Sequence, residues 1–93
     1  MRFDGEVALI TGAGSGVGLA AARRFAAEGC RVVATVLNGA QLPVLAGAPF
    51  AERLILDVRR EEDWTRVVAA VEAKFGAVDI LFNNAGVTIR GDV

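Results

Sequence analysis

The chain contains no histidine and no tyrosine, and only one cysteine. Imidazole base chemistry, histidine-ligated metal and a phenolic acid are therefore excluded within these residues. Cys30 has no partner for an internal disulfide, which suits a reducing compartment, and it reads as a small buried apolar side chain. There is no block of lysines or arginines and the net charge is −1, so the electrostatic footprint of a nucleic-acid binder is missing. Glycines and charges interrupt every apolar run before it reaches membrane-spanning length, and the N-terminus lacks a signal-peptide pattern. The expectation is a cytoplasmic protein with neither membrane nor nucleic acid as partner. What is present is ordinary for one small globular domain: 93 residues, 54% apolar and 23% charged.

The most informative stretch is Thr11-Gly12-Ala13-Gly14-Ser15-Gly16-Val17-Gly18. Val7-Ala8-Leu9-Ile10 before it reads as a buried strand, and Leu19 to Glu28 after it as an amphipathic helix ended by Gly29. A glycine loop joining strand to helix lets backbone amides approach a phosphate where the helix dipole favours an anion. No Lys-Ser or Lys-Thr follows the glycines, so a Walker-type phosphate loop is excluded. The helix places Gly18, Ala22 and Phe25 on one stripe with Leu19 and Ala26 beside it, and Arg23, Arg24 and Glu28 on the other side. Gly18 thus falls in the packing face, where a missing side chain lets helix and sheet come close.

Four short apolar runs recur: Val7–Thr11, Arg31–Leu37, Leu54–Leu56 and Val78–Phe82. Three are nearly continuous rather than alternating, as in strands covered on both faces of a parallel sheet. The clearest helix follows the third run. Trp64, Val67, Val68, Val71 and Phe75 share one face, Glu61, Glu62 and Asp63 suit its N-terminal dipole, and Gly76 caps it. Arg59 and Arg60 stand where a Ser or Thr cap is expected, and no sequence argument accounts for them. Asn38 to Ala51, with Gly39, Pro43, Gly47 and Pro49, reads as a short helix or mostly loop. Alternating strands and helices give an α/β class: a Rossmann-like, doubly wound parallel sheet, partial, with four strands in the expected order 3-2-1-4. Its switch point would gather Thr11-Gly12, Val36, Asp57 and Asn83-Asn84-Ala85-Gly86 at the carboxyl ends of the strands.

Each of these features alone has a plain structural explanation: a tight turn, a solvated acid, an ordinary loop. Together, each at its own strand end, they resemble the short-chain dehydrogenase/reductase family, from Phe3-Asp4-Gly5-Glu6-Val7 to at least Val87. The resemblance implies that residues 1–93 are the N-terminal part of a dinucleotide-binding Rossmann domain, with NAD or NADP as cofactor. Gly12, Gly16 and Gly18 would shape the pyrophosphate turn, within a run that also holds Thr11, Ser15 and Val17. Ser15 could bond a ribose or phosphate oxygen. Asp57 would accept from the adenine amino group with the Val58 backbone beside it, and Asn83, Asn84, Ala85 and Gly86 would border the ribose and nicotinamide. At the end of the second strand, where members using NAD often carry an acid, stands Val36. No basic residue occupies position 15 or 37, where NADP-dependent members often place one. Nothing there neutralises an extra phosphate, which leans the expectation slightly to NAD.

The implied reaction is hydride transfer between nicotinamide and a carbonyl or alcohol substrate. The family's catalytic serine and Tyr-x-x-x-Lys pair lie downstream of this half, so the 93 residues alone are expected to be inactive and a full-length protein to be a homo-oligomer. Strand four would then form an exposed edge, leaving the chain marginal or partner-dependent, and Thr88 to Val93 reads as a loop cut midway. Phe82, Val87 and Ile89 are candidates to border a substrate, with core packing the better reading for Phe82. Two other readings stay open: a non-catalytic dinucleotide-binding or partner-docking module, and an unrelated α/β interaction domain whose loops mimic the motif.

Overall fold

The computed structural model describes residues 3–83 and, for the backbone alone, 86–89. Strand β1 (Val7–Ile10) runs into the glycine loop and helix α1 (Gly16–Ala27), and strand β2 (Arg31–Val36) follows. A 3₁₀ segment (Gly39–Leu45) leads to strand β3 (Glu52–Ile55), helix α2 (Glu61–Phe75) and strand β4 (Ile80–Asn83). The sheet order is β3-β2-β1-β4, all four parallel, as the alternation of strands and helices requires. A further strand, β5 (Gly86–Ile89), pairs antiparallel with β4, Asn83 opposite Gly86 and Ile80 opposite Ile89.

That strand corrects the expected open edge and cut-off loop. β4 has a hydrogen-bonded neighbour on both sides, and Thr88 and Ile89 are strand residues rather than loop. The segment was missed because Gly86-Val87-Thr88-Ile89 is too short to show alternation, and Asn83 to Gly86 reads as a turn.

Both faces of the sheet are covered, which is why β1 and β2 lack alternation. Ala8 and Ile10 of β1 join Val32, Ala34 and Val36 of β2 under α1, with Ala22, Leu45 and Phe50. Val7, Leu9 and Val33 point the other way, to Val67 and Val71 of α2 and to Leu56. The helical stripes fall as the periodicity dictates: Gly18 and Ala22 are buried on α1, Val67 and Val71 on α2. Phe82, partly buried, packs against the first core with its ring edge-on to Phe25. Leu9→Ala is expected to cost about 2–5 kcal/mol, because its neighbours from strand and helix cannot close the void. The urea midpoint of equilibrium unfolding reads this directly.

The arginines before α2 also find their reason. Arg60 sits at the cap position with extended backbone and no side-chain cap, and its carbonyl accepts from Asp63 N at 3.1 Å. The guanidinium groups pair with the flanking acids, Arg59 with Asp57 at 2.9 Å and Arg60 with Glu62 at 2.7 Å. Among the described residues no helix is long and apolar enough to cross a membrane.

Candidate functional site

At the carboxyl end of β1 the chain must leave the sheet and enter α1 within a few residues, and backbone bonds steer it. Thr11 N donates to Phe82 O of β4 at 2.9 Å, and Ala13 N donates to Thr35 O of β2 at 2.8 Å. The buried Thr35 hydroxyl donates to Ile10 O at 2.9 Å, fastening β2 to β1 at the same level. Thr11 Oγ1 donates to Asn83 Oδ1 at 3.2 Å, so the ends of β1 and β4 are tied side chain to side chain. Gly12 turns the chain with φ +62° and Gly16 opens α1 with φ +57°, both in the left-handed region that favours glycine. Gly18 serves differently: a Cβ there would lie 2.0 Å from Gly12 O, so loop backbone crosses directly against the helix.

The two helices begin in contrasting ways. α2 carries Glu61, Glu62 and Asp63 in its first turn, so its N-terminal partial charge is met by its own side chains. α1 has no acid in its first turn and Ser15 makes no side-chain cap, so no side chain of that turn offsets its N-terminal partial charge. Ser15, Gly16 and Val17 are exposed there, and a Cβ on Gly16 would meet no protein atom within 4 Å.

Beside this turn lies a cleft of about 170 Å³ lined by Thr11, Gly12, Leu37, Leu56, Val58 and Asn83. It gathers the ends of β1 and β4 and the residues just past β2 and β3. A broader depression of about 440 Å³ runs along α2 between Glu61, Glu62, Thr65 and Arg66. All four are exposed, and neither the glycine turn nor a strand end lines it. The smaller cleft is the better candidate.

The sequence-derived site residues divide as follows. Thr11, Gly12, Val58 and Asn83 line the cleft itself, and Ser15, Gly16 and Val17 stand at the helix start. Gly18 is buried beneath the turn, and Val36 is fully buried in the core under α1, so Leu37 rather than Val36 presents its side chain at the end of β2. Gly86 of β5 pairs with Asn83 of β4. Asn84 and Ala85 lie outside the described residues, as do Arg90 to Val93.

Asp57 follows β3 and is gripped by one arginine: Oδ1 accepts from Arg59 N and Nε at 3.0 Å, and Oδ2 from Arg59 Nη2 at 2.9 Å. The Arg59 guanidinium, then its backbone N–H, pull the Asp57 carboxyl down to about 2. A carboxylate offers about four lone-pair sites, so this grip leaves acceptor capacity for another donor. Because the folded value lies below the ordinary 3.8, the pair stabilises the fold above that value and the contribution fades as pH falls towards 2. The melting-temperature gap between the wild type and Asp57→Asn should hold steady above about pH 4 and close below it. A gap independent of pH down to the acid limit would dismiss the pair.

Three residues at or beside the site were not legible in the sequence: Leu56 lines the cleft, Arg59 holds Asp57, and Gln41 Oε1 accepts from Leu37 N. Leu56 reads as an ordinary strand end, Arg59 as a misplaced cap, and Gln41 as one polar residue in an ambiguous stretch. Only the charge alternation Asp57, Arg59 carried a usable signal, an acid and a base two residues apart around a turn.

A parallel sheet wound 3-2-1-4, with a glycine turn and an uncapped helix start at its switch point, defines a dinucleotide-type Rossmann fold. The family description "short chain dehydrogenase" matches residues 6–93, and the chain belongs to that family. It is 42% identical to a 3-beta-hydroxysteroid dehydrogenase of Comamonas testosteroni, covering 99% of this chain and 37% of that protein. It is 43% identical to the 3-oxoacyl-[acyl-carrier-protein] reductase FabG of Escherichia coli K12, covering 95% of this chain and 37% of that enzyme. The structure of a hydroxysteroid dehydrogenase from Escherichia coli superposes with a TM-score of 0.77 at 34% identity, over 88% of this chain and 36% of that one. The chain thus spans little more than a third of the length of these relatives.

Proposed function

We propose that this chain binds a nicotinamide dinucleotide across the carboxyl ends of β1 to β4, as the cofactor-binding part of a short-chain oxidoreductase. The observation that carries the reading is the start of α1. There a left-handed glycine, an absent cap and an absent acid leave helix amides and open space together, at the switch point of the sheet. The residues present fit a pyrophosphate: a Cβ at Gly16 would project into space that no protein atom fills, and no carboxylate of the first turn opposes a phosphate. Thr11, Gly12, Ser15, Gly16 and Val17 would hold the pyrophosphate, with Gly18 letting the turn close. Exposed Leu37 and Val58 offer apolar walls for an adenine, and Asp57 an acceptor for its amino group. Asn83, with Asn84, Ala85 and Gly86, would border the second ribose and the nicotinamide.

The bound cofactor would supply hydride chemistry at nicotinamide C4, with a carbonyl or alcohol carbon as its counterpart. This chain's own residues bind and orient it; proton transfer would fall to residues outside these 93, which contain no tyrosine. That same absence favours the second reading, a dinucleotide-binding module that does not itself catalyse. A 3-beta-hydroxysteroid dehydrogenase and a 3-oxoacyl-[acyl-carrier-protein] reductase are similar to it at 42% and 43% identity, so the substrate class is left at carbonyl or alcohol. The preference leans to NAD, because among the described residues no cation lines the cleft.

Titration of the chain with NADH, read through energy transfer from its one tryptophan, tests the reading. Trp64 Nε1 donates to Val58 O at 2.8 Å, so the indole reports on the cleft wall. Saturable binding that excess ADP-ribose competes away is expected, together with no turnover of carbonyl substrates. Absence of saturation would overturn the dinucleotide reading, and turnover by the chain alone would overturn the division of labour.

A further inference from the structure

The end of β2 carries a side-chain clamp that bears on which dinucleotide fits. Val36, last residue of β2, lies 20 positions after Gly16, where a fold of this kind meets the adenosine ribose. Its side chain is buried, so recognition of the ribose 2′ position falls to backbone and neighbouring side chains. The first backbone donor past the strand is the Leu37 amide, and it is not left open. Gln41, from the 3₁₀ segment, folds back so that its Oε1 accepts from Leu37 N at 3.1 Å.

The rest of the side chain lies against the glycine loop. A Cβ on Gly14 would come within 3.5 Å of both Gln41 Cβ and Gln41 Nε2, and within 3.3 Å of Val36 Cγ1. Gln41 therefore bridges the end of β2 and the turn that would carry the pyrophosphate. Asn38 is held separately, its Oδ1 accepting from Ala40 N at 3.1 Å, so the 3₁₀ start presents Gln41 in a fixed place.

Resting on the dinucleotide reading, we propose that Gln41 sets cofactor preference by occupying the Leu37 amide and thereby disfavouring a 2′-phosphate. A phosphate monoester at the ribose 2′ position needs N–H donors, and the first backbone donor past β2 is already bonded to Gln41 Oε1. To use it, the phosphate must displace the glutamine carbonyl, whereas an unphosphorylated ribose does not. The Gln41 Nε2 amide, its oxygen fixed, remains a donor for a ribose hydroxyl oxygen. The residue thus acts without charge, which is why no acid or base marks the position in the sequence.

The test is the ratio of NADH to NADPH affinity, measured by the tryptophan titration for the wild type, Gln41→Ala and Gln41→Glu. The wild type should bind NADH more tightly. Gln41→Ala frees the Leu37 amide for a charge-assisted bond and should move the ratio about tenfold towards NADPH. Gln41→Glu keeps an acceptor on that amide and adds a negative charge, so the ratio should move the other way. Equal ratios in all three proteins, with NADH still bound, would overturn the role of Gln41 alone. Failure of the wild type to bind either nucleotide would overturn the dinucleotide reading beneath it.

Discussion

Gly18→Ala is expected to cost about 3 kcal/mol or more of folding stability, at the upper end of overpacking effects. The added methyl would stand 2.0 Å from Gly12 O and 2.7 Å from Gly12 C, with Thr11 O at 3.2 Å. These are backbone atoms, and none can rotate away. Gly12 is itself held in a left-handed turn, and Thr11 and Ala13 on either side are bonded to β4 and β2. Relief therefore requires the helix to lift from the sheet, which exposes Ala22 and the core beneath α1. In a domain whose whole stability is about 5–15 kcal/mol, a loss of that size moves the urea midpoint far and lowers the folded yield. Any protein that does fold should bind NADH poorly, because the turn and the helix start no longer meet. An unfolding midpoint within error of the wild type would show that the loop and helix are not locked as described.

Much of this was legible beforehand, and the reasons differ from element to element. Strands β1 and β2 could be read because they are covered on both faces, so that nearly every residue is apolar. Helix α2 could be read because a single stripe, Trp64 to Phe75, meets one core. The start of α1 was harder: the helix begins at Gly16, three residues before the periodic segment, because the glycine turn is also the first helical turn. Gly18 was assigned to the packing face by its place on the stripe, and the clash with Gly12 O supplies the reason.

What the sequence did not disclose depends on contacts made by side chains of ordinary type. Gln41 becomes informative only when its carbonyl is seen on the Leu37 amide across a short 3₁₀ turn. Asp57 was expected as an acceptor, but its grip by Arg59 turns on a bend that brings residues two apart face to face. Val36 was a site candidate by position, and its burial passes the exposed role to Leu37. Strand pairing across Asn83 and Gly86 joins the list, since four residues cannot show a period.

The second large effect separates binding from folding. Gly16→Ala should fold with a loss of roughly 1–2 kcal/mol, the cost of holding an L side chain in the left-handed region. Among the described residues, no atom beyond its chain neighbours and the helix's own backbone lies within 4 Å of the new Cβ, so tertiary packing adds no steric term. The dinucleotide, however, would meet that methyl where its pyrophosphate approaches the helix amides. Losing one or two charge-assisted bonds there should weaken NADH about a hundredfold. Gly47→Ala is the matched control: its φ is +80°, its Cβ would also meet nothing, and it lies in the loop before β3 rather than at α1. Similar melting-temperature losses in the two variants, with affinity lost only in Gly16→Ala, would tie the space above α1 to the phosphates. Unchanged NADH affinity in Gly16→Ala would move the pyrophosphate elsewhere, because no other consequence of the substitution could restore a contact that the methyl blocks.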